Sequence, residues 1–243
     1  MSMPIAAVVL AAGKGTRMGS GLHKVLHPLA GRPLLGHLLD TLDTLGAAKR
    51  VVVVGAGRDQ IAPAFPGLTT VVQEPQLGTA HAVRMAETTL ADFNGTVLVL
   101  YGDVPLVKTT TMRRLCVAVD SDHGLAVLGF HPQDTRTYGR LVTNADAGLE
   151  VIVEHADATT AQREIGFCNS GIMGVRSDLL WPLLVAVGND NRKGEYYLTD
   201  IVHLARTQGH RIATADSAED EVTGLNSQTE LQVLEQKLAE AVA

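Results

Sequence analysis

The feature that most constrains the fold is a continuous apolar run near the N-terminus, IAAVVL at 5–10, which leads directly into a glycine-rich loop. An uninterrupted apolar run of this kind is typical of a parallel β-strand that is covered on both faces. Gly13 and Gly15 lack a Cβ, so main-chain N–H groups of the loop can approach an anion closely. Three basic residues stand in or after the loop: Lys14, Arg17 and Lys24. The segment predicts a strand followed by a phosphate-binding loop, with a plain surface turn as the alternative.

The spacing of this loop argues against two common nucleotide-binding motifs. Gly13-x-Gly15-x-x-Met18 lacks the third small residue of the dinucleotide-binding fingerprint, and the G-x-x-x-x-G-K-[ST] sequence of ATPases and GTPases does not occur. The chain also has no G-x-S-x-G or H-E-x-x-H motif. His23 and His27 are four residues apart but lack a third zinc ligand. These absences disfavour a dehydrogenase, a P-loop enzyme and a zinc enzyme. The predicted phosphate-binding loop still makes a nucleotide the first substrate class to test.

Strand-like and helix-like segments alternate through the first half of the chain. A leucine stripe with helical spacing begins near Pro33 and precedes the apolar run Val51–Val54. The later segments predicted in the first half are a helix from about Gln60, a strand near Thr70–Val72, a helix over Thr79–Thr89 and a strand over Val97–Leu100. The second half predicts strands over Leu125–Phe130, Gly139–Thr143, Leu149–Glu154 and Asn169–Val175, helices over Asp178–Val187 and Tyr197–Gln208, and a last helix from Ser227. This pattern indicates an α/β fold with a doubly wound, mostly parallel, Rossmann-like sheet. We expect one domain over 1–243, with a nucleotide-binding half (1–125), an acceptor half (126–226) and a C-terminal helix (227–243).

Composition narrows the function further. The 243 residues are 46% hydrophobic, enough for a packed core, and the formal net charge is −6. An acidic chain is not attracted to nucleic acid or a membrane surface, so we expect neither as a partner. The two cysteines, Cys116 and Cys168, do not form a disulfide framework, and no signal-peptide pattern precedes the first strand. We expect a cytoplasmic protein.

Asp103 is the leading candidate metal ligand. It follows the apolar run that ends at Leu100, and the carboxyl ends of parallel strands are where open α/β sheets bind ligands. Mg²⁺ takes few protein oxygens and completes its shell with phosphate oxygens and water, so one carboxylate and one amide can suffice. Asn226, just ahead of the last helix, is the candidate amide. Helix capping is the alternative for both residues.

Two further segments contain groups suited to a nucleoside or a sugar. Gln73 and Gln76 offer amide donors and acceptors to a nucleobase, although Gly78-Thr79 is equally consistent with an ordinary helix cap. The sequence GEYYLTD at 194–200 combines carboxylates, phenols and a hydroxyl, which suits sugar hydroxyls. A solvated helix start is the alternative for this segment.

Taken together, a series of motifs resembles the uridyltransferase domain of bacterial bifunctional N-acetylglucosamine-1-phosphate uridyltransferase / glucosamine-1-phosphate acetyltransferase. The motifs are AAGKGTRM at 11–18, KVLHPLAG at 24–31, QLGTAHA at 76–82, YGDVPL at 101–106, YGR at 138–140, VEHADA at 153–158, NSGI at 169–172 and GEYYLTD at 194–200. The first is shared by many nucleotidyltransferases, whereas the later ones in this order are specific. The resemblance implies a nucleotidyltransferase fold.

The resemblance also implies a reaction and a set of site residues. UTP and N-acetylglucosamine 1-phosphate would give UDP-N-acetylglucosamine, a cell-wall precursor, and pyrophosphate, with Mg²⁺ as cofactor. The uridine would be held by Leu10, Ala11, Ala12, Gly13, Gln73, Gly78 and Thr79. The amino sugar would be held by Gly139, Glu154, Asn169, Glu195, Tyr197 and Thr199. Arg17 and Lys24 would bind the triphosphate, and Asp103 and Asn226 would bind Mg²⁺.

Two departures from the family pattern stand out. His23 occupies a position where the family often has proline, and the hexapeptide β-helix of the acetyltransferase does not occur in the chain. We therefore expect no acetyl transfer from these residues, and the oligomeric state stays open. A cytidylyltransferase acting on a polyol phosphate and a non-catalytic nucleotide-sugar sensor are the competing hypotheses.

Overall fold

The computed structural model describes residues 3–13, 15, 18–120, 122–135, 137–144 and 148–242. The strands are β1 Ile5–Ala11, β2 Pro28–Leu29, β3 Arg32–Pro33, β4 Lys49–Val54, β5 Thr70–Val72, β6 Thr96–Tyr101, β7 Leu125–Phe130, β8 Arg140–Thr143, β9 Leu149–Val153, β10 Cys168–Arg176 and β11 Ile212–Ser217. The helices are α1 Leu34–Leu45, α2 Ile61–Ala64, α3 Thr79–Arg84, α4 Thr109–Ala118, α5 Thr160–Arg163, α6 Ser177–Ala186, α7 Asp200–Thr207, α8 Glu219–Val222 and α9 Gln228–Val242. None of the described helices has the length and apolar character needed to cross a membrane.

The central sheet has the strand order β11-β7-β10-β6-β1-β4-β5. β1 is parallel to both β4 and β6, β4 is parallel to β5, and β11 is parallel to β7. β10 is antiparallel to β6 and β7, and β8 and β9 extend from the start of β10. The sheet is parallel over most of its width, which confirms the predicted Rossmann-like α/β class.

The side chains of β1 alternate between two apolar layers. Ala6 and Val8 face a layer completed by α6 and α7, whereas Ala7 and Val9 face a layer completed by α1 and α4. All four side chains are fully buried. A strand with both faces covered needs an apolar residue at every position, which is why the run at 5–10 has no polar interruption.

The loops that follow β1 and β6 emerge together at one edge of the sheet. The two strands are neighbours with Leu10 opposite Tyr101, and the N–H of Gly102 donates to the carbonyl of Leu10 over 2.9 Å. The two loops therefore meet at the carboxyl edge of the sheet.

Two predicted helices are shorter in the structure. The helix predicted over 79–89 ends at Arg84 and is followed by a separate 3₁₀ turn, although its apolar residues stay buried as far as Leu90. The helix predicted from Tyr197 begins at Asp200, because the segment before it is bound to other parts of the chain through main-chain hydrogen bonds. Periodicity marks the buried positions of a segment but not where its backbone leaves the helix.

The pattern analysis missed several elements, of which α4 and β11 are the longest. The helix α4 has a mostly polar sequence, TTTMRRLCVA, in which only Thr111, Met112 and Leu115 are buried. The strand β11, IATADS, has small and polar residues and lies at the end of the sheet. Neither segment has enough apolar residues to show a period.

Candidate active site at the carboxyl edge of the sheet

A cavity of about 370 Å³ opens at the carboxyl edge of β1 and β6. All of the residues predicted to hold uridine line it, together with Lys24, Asp103 and Glu195: Leu10, Ala11, Ala12, Gly13, Gln73, Gly78 and Thr79. A larger cavity of about 870 Å³ lies around Met3 and Val117, at the amino ends of the same strands, and no described residue of the predicted site lines it. The smaller cavity is therefore the candidate active site.

The glycine-rich loop approaches the side chain of Lys24 closely. Gly15 has φ +59°, and a Cβ at this position would lie 2.6 Å from the Cβ of Lys24. A larger residue at position 15 would therefore have to displace the lysine. Lys14 and Arg17, the other basic residues predicted for this loop, lie outside the described residues.

Lys24 joins the two predicted metal ligands. Its Nζ donates to Oδ2 of Asp103, and it donates to Oδ1 of Asn226 over 2.8 Å. The lysine and aspartate side chains are 13% and 21% exposed, so this ion pair is largely shielded from solvent. Two oxygen atoms from positions that are far apart in the sequence, 103 and 226, thus converge on one cationic group just after β6.

Other bonds hold this oxygen pair in place. The carbonyl of Asp103 accepts from the N–H of Leu225 over 3.0 Å, and the N–H of Asn226 donates to Oε2 of Glu230 over 2.6 Å. The amide Nδ2 of Asn226 donates to the carbonyl of Gly224, which turns Oδ1 toward Lys24. The helix caps suggested as alternatives lie elsewhere: Lys108 precedes α4, and the hydroxyl of Ser227 accepts at the start of α9.

A buried carboxylate, missed by the sequence analysis, connects the two segments that carry these oxygens. Glu221 is 6% exposed and accepts from the hydroxyl of Thr111 over 2.6 Å and from both the N–H and Nζ of Lys108, over 3.3 and 3.1 Å. Burial would raise the pKa of Glu221, but these hydrogen bonds outweigh it and hold the pKa below the usual value. The carboxylate fixes α8 against the loop between β6 and α4.

The donor set fits a magnesium ion. A carboxylate oxygen and an amide oxygen already share one positively charged partner, and both are hard oxygen ligands of the kind that Mg²⁺ prefers. Within the described residues there is no cluster of three or more His, Cys, Asp or Glu side chains suited to a metal. A site with two protein oxygens, completed by phosphate and water, is consistent with this chemistry.

Gln73 also lines the cavity and is 5% exposed. Its Nε2 donates to the carbonyl of Gly78 over 2.9 Å and lies 3.1 Å from Nδ1 of His81. Burial and then the nearby Arg84 lower the pKa of His81, which favours the neutral ring that can accept this bond. Both amide hydrogens of Gln73 are thereby used within the protein. Gln76 donates to the carbonyl of Ala12 and fixes the first loop.

The start of α3 is bonded to the segment 194–200. Gly78 has φ +122°, and a Cβ there would lie 2.5 Å from the carbonyl oxygen of Tyr196. The N–H of Tyr196 donates to Leu77 over 2.8 Å, and the hydroxyl of Thr79 accepts from the N–H of Leu198 over 2.9 Å. Thr79 therefore links two segments and does not cap its helix.

Of the six predicted sugar residues, Glu195 lines the cavity and four others form two bonded pairs. Oε1 of Glu154 accepts from the hydroxyl of Thr199 over 3.1 Å, and the N–H of Asn169 donates to the carbonyl of Gly139 over 2.8 Å. Burial raises the pKa of Glu154, although the bond from Thr199 acts in the opposite direction. Arg140, 1% exposed, donates to main-chain carbonyls around this region and anchors the start of β8.

Two buried polar atoms near Glu154 have no hydrogen-bond partner in the described part of the chain: the hydroxyl of Tyr197 and Oδ2 of Asp157. Burial, followed by the charges of Asp157 and Glu154, raises the pKa of Tyr197 to about 12. Tyr197 and Thr199 are only 8% and 6% exposed, which contradicts a solvated helix start at these positions, whereas Glu195 is exposed. Unpaired buried donors and acceptors are costly, so these two atoms are an unusual feature of this region.

Tyr101 connects the two regions and was also missed from the sequence. It lines the cavity, and Gly171 of β10 packs against its ring. Burial, and then the charges of Glu154 and Asp103, raise the pKa of its phenol. Its position at the end of β6, two residues before Asp103, was the available signal.

Comparison with known proteins agrees with this geometry. The sequence matches the MobA-like NTP transferase domain over residues 7–165, which is more than half of the chain. Among curated relatives, the bifunctional protein GlmU of Rhizorhabdus wittichii is 54% identical over 237 residues, and that of Rhodospirillum rubrum is 53% identical over 232 residues. These matches cover 96% and 95% of this chain but 52% of each relative, so the chain spans about half of their length.

The matches confirm the resemblance inferred from the motifs. The matched range includes most of β1, the glycine-rich loop and Asp103. The chain is a nucleotidyltransferase and belongs to the MobA-like NTP transferase domain family.

Proposed function

We propose that this chain transfers a uridylyl group from UTP to the phosphate of N-acetylglucosamine 1-phosphate and releases pyrophosphate. The observation that carries the proposal is the carboxyl-edge cavity, which is lined by residues of the nucleotide motifs, by Lys24 and Asp103, and by Glu195 of the segment 194–200. The ordered motifs and the high identity to the bifunctional relatives support this choice of substrates. Residues 1–125 would hold the nucleotide and residues 126–226 the acceptor.

The proposed reaction is a direct displacement. An oxygen of the acceptor phosphate forms a bond to the α-phosphorus of UTP, and the bond from that phosphorus to the α–β bridging oxygen breaks. Pyrophosphate leaves with the electron pair. Because the acceptor oxygen is already anionic, neither a covalent intermediate nor a strong general base is required, and the chain mainly aligns two anions and offsets their repulsion.

Each part of the cavity has a role in this proposal. The first loop would contact the nucleotide, and Lys24 and Arg17 would supply positive charge to its phosphates. Mg²⁺, held by Asp103 and Asn226, would neutralise phosphate charge when bound.

The acceptor would lie against the acidic and hydroxyl-bearing wall. Glu154 and the unpaired carboxylate oxygen of Asp157 can accept hydrogen bonds from a ligand, and the hydroxyl of Tyr197 can donate one. Hydroxyl and acetamido groups of an amino sugar complement these atoms. Asn169, Gly139, Glu195 and Thr199 complete the proposed acceptor set.

The proposal is tested by removing the metal-ligand carboxylate. We expect Asp103→Ala to lower Mg²⁺-dependent pyrophosphate release from UTP and N-acetylglucosamine 1-phosphate by at least about 100-fold. The matched control is Asp178→Ala, which removes an exposed carboxylate paired with Arg176 near the opposite edge of the sheet. Full activity of Asp103→Ala would refute the metal assignment.

A further inference from the structure

The side chain of Lys24 occupies the position that a divalent cation would take between two oxygens. Its Nζ donates both to Oδ2 of Asp103 and to Oδ1 of Asn226. Mg²⁺ lies about 2.1 Å from its oxygen ligands, so an ion bound by both oxygens would overlap with the ammonium group. The two cations also repel each other. They are therefore alternatives at one site.

We propose that Lys24 and the divalent cation exchange at this oxygen pair. In the metal-free protein the ammonium group bridges the two oxygens, and metal entry moves it into the neighbouring cavity. The inference rests on the proposed function, which assigns the metal to Asp103 and Asn226. It adds that the lysine competes with the metal as well as binding phosphate.

Contacts that do not involve Lys24 fix the main chain that carries the oxygen pair. The main chain of Asp103 is bonded to Leu225, and both the N–H and the side-chain amide of Asn226 have other partners, Glu230 and Gly224. Removing the ammonium group therefore leaves two preorganised oxygens and an uncompensated carboxylate. Such a site binds a cation more tightly than the native one.

The displaced ammonium group can move into the cavity that Lys24 already lines. The Cβ of Lys24 packs against Gly15, so the base of the side chain is held while its outer part can swing. Lys24 lines the same cavity as Ala12 and Gly13 of the first loop. A lysine released by the metal thus faces the space assigned to the triphosphate, and metal binding prepares a cationic group for the nucleotide. By reciprocity, nucleotide that attracts Lys24 favours metal entry.

The first test measures the binding of Mn²⁺ alone, from the electron paramagnetic resonance signal of free Mn²⁺, in the absence of nucleotide. We expect Lys24→Met to bind Mn²⁺ about tenfold more tightly than the wild-type protein, equivalent to about 1.4 kcal/mol. Lys49→Met is the matched control, because Lys49 is exposed at the start of β4 and its removal changes the net charge equally. Loss of Mn²⁺ binding in Asp103→Asn would show that the measured ion is bound at the oxygen pair.

The possible outcomes distinguish a failure of the exchange from a failure of the metal assignment to Asp103 and Asn226. Tighter binding by Lys24→Met alone, lost when Asp103→Asn is added, supports the exchange. If Asp103→Asn abolishes Mn²⁺ binding but Lys24→Met binds no more tightly than Lys49→Met, the exchange is wrong and the metal assignment stands. If Asp103→Asn binds Mn²⁺ like the wild-type protein, the metal assignment fails and the exchange fails with it. Absence of measurable binding by Lys24→Met also contradicts the exchange.

The second test follows Lys24 in the wild-type protein. Its side chain is 13% exposed while it bridges the oxygen pair, so acetylation by a succinimidyl ester should be slow there. We expect saturating Mg²⁺ to accelerate acetylation of Lys24 severalfold, measured by peptide mass spectrometry, and to leave Lys49 unchanged. Acetylation of Lys24 that stays constant or slows with Mg²⁺ would show that the ammonium group is not released.

Discussion

Substitution of Gly78 by alanine adds one methyl group and should disrupt the site strongly. The backbone of Gly78, at φ +122° and ψ 175°, lies in a region that residues with a Cβ occupy only at a cost of about 1–3 kcal/mol. A Cβ would also lie 2.5 and 2.6 Å from the main-chain O and N of Tyr196. The segments would have to separate, weakening the bonds of Tyr196 to Leu77 and Ala80, each worth about 0.5–1.5 kcal/mol.

Together these effects predict that Gly78→Ala lowers the free energy of unfolding by about 2–5 kcal/mol. Urea denaturation measures this loss, with Gly166→Ala as the control. Gly166 is exposed and a Cβ there meets nothing within 4 Å, so its substitution should be neutral or stabilising by less than about 1 kcal/mol. The segment displaced in Gly78→Ala carries Glu195 and Tyr197, so the KM for the acceptor should rise as well. Equal stability of the two variants would refute the argument.

Three further predictions concern residues around the site. Glu221→Gln should weaken Mn²⁺ binding severalfold and destabilise the fold by about 1–3 kcal/mol, because it weakens the bonds from Thr111 and Lys108. Unchanged Mn²⁺ affinity would show that Glu221 does not position the metal ligands. The pKa of Glu154 is raised, so its ionisation disfavours the folded state. The free energy of unfolding of Glu154→Gln should therefore increase relative to that of the wild-type protein as the pH rises from about 4 through the raised pKa. A difference that urea titrations find to be independent of pH would contradict this. His23→Pro should change the free energy of unfolding by less than about 1 kcal/mol, measured by thermal unfolding. The φ of −57° at His23 suits proline, and this gain offsets the loss of the 2.8 Å bond from the N–H of His23 to Gln60. A larger loss of stability would show that the buried ring is essential.

The first loop and the cavity lining could be predicted because they rest on local patterns. The apolar strand, the glycines and the residues at strand ends are read within short windows, and parallel strands bring such loops to one edge. The lining of the cavity by residues from Leu10 to Thr79 follows from that rule.

The contacts that complete the site are not local and could not be predicted in this way. Asn226 meets Lys24 across 202 positions, and Glu221 meets Thr111 across 110. Their partners follow only from the packing of the last helices against the loop after β6. The end of α3 at Arg84 was likewise mispredicted, because apolar spacing continues through the turn that follows.

The most direct test of the account is pyrophosphate release by the purified chain with Mg²⁺, using UTP or CTP paired with N-acetylglucosamine 1-phosphate or glucose 1-phosphate. The account predicts rapid release with UTP and N-acetylglucosamine 1-phosphate and release at least about 100-fold slower when either is replaced. Preference for CTP or for another acceptor would contradict the proposed substrates while keeping the nucleotidyltransferase family. Tight binding of UDP-N-acetylglucosamine without release from any pair would contradict catalysis and indicate a sensor.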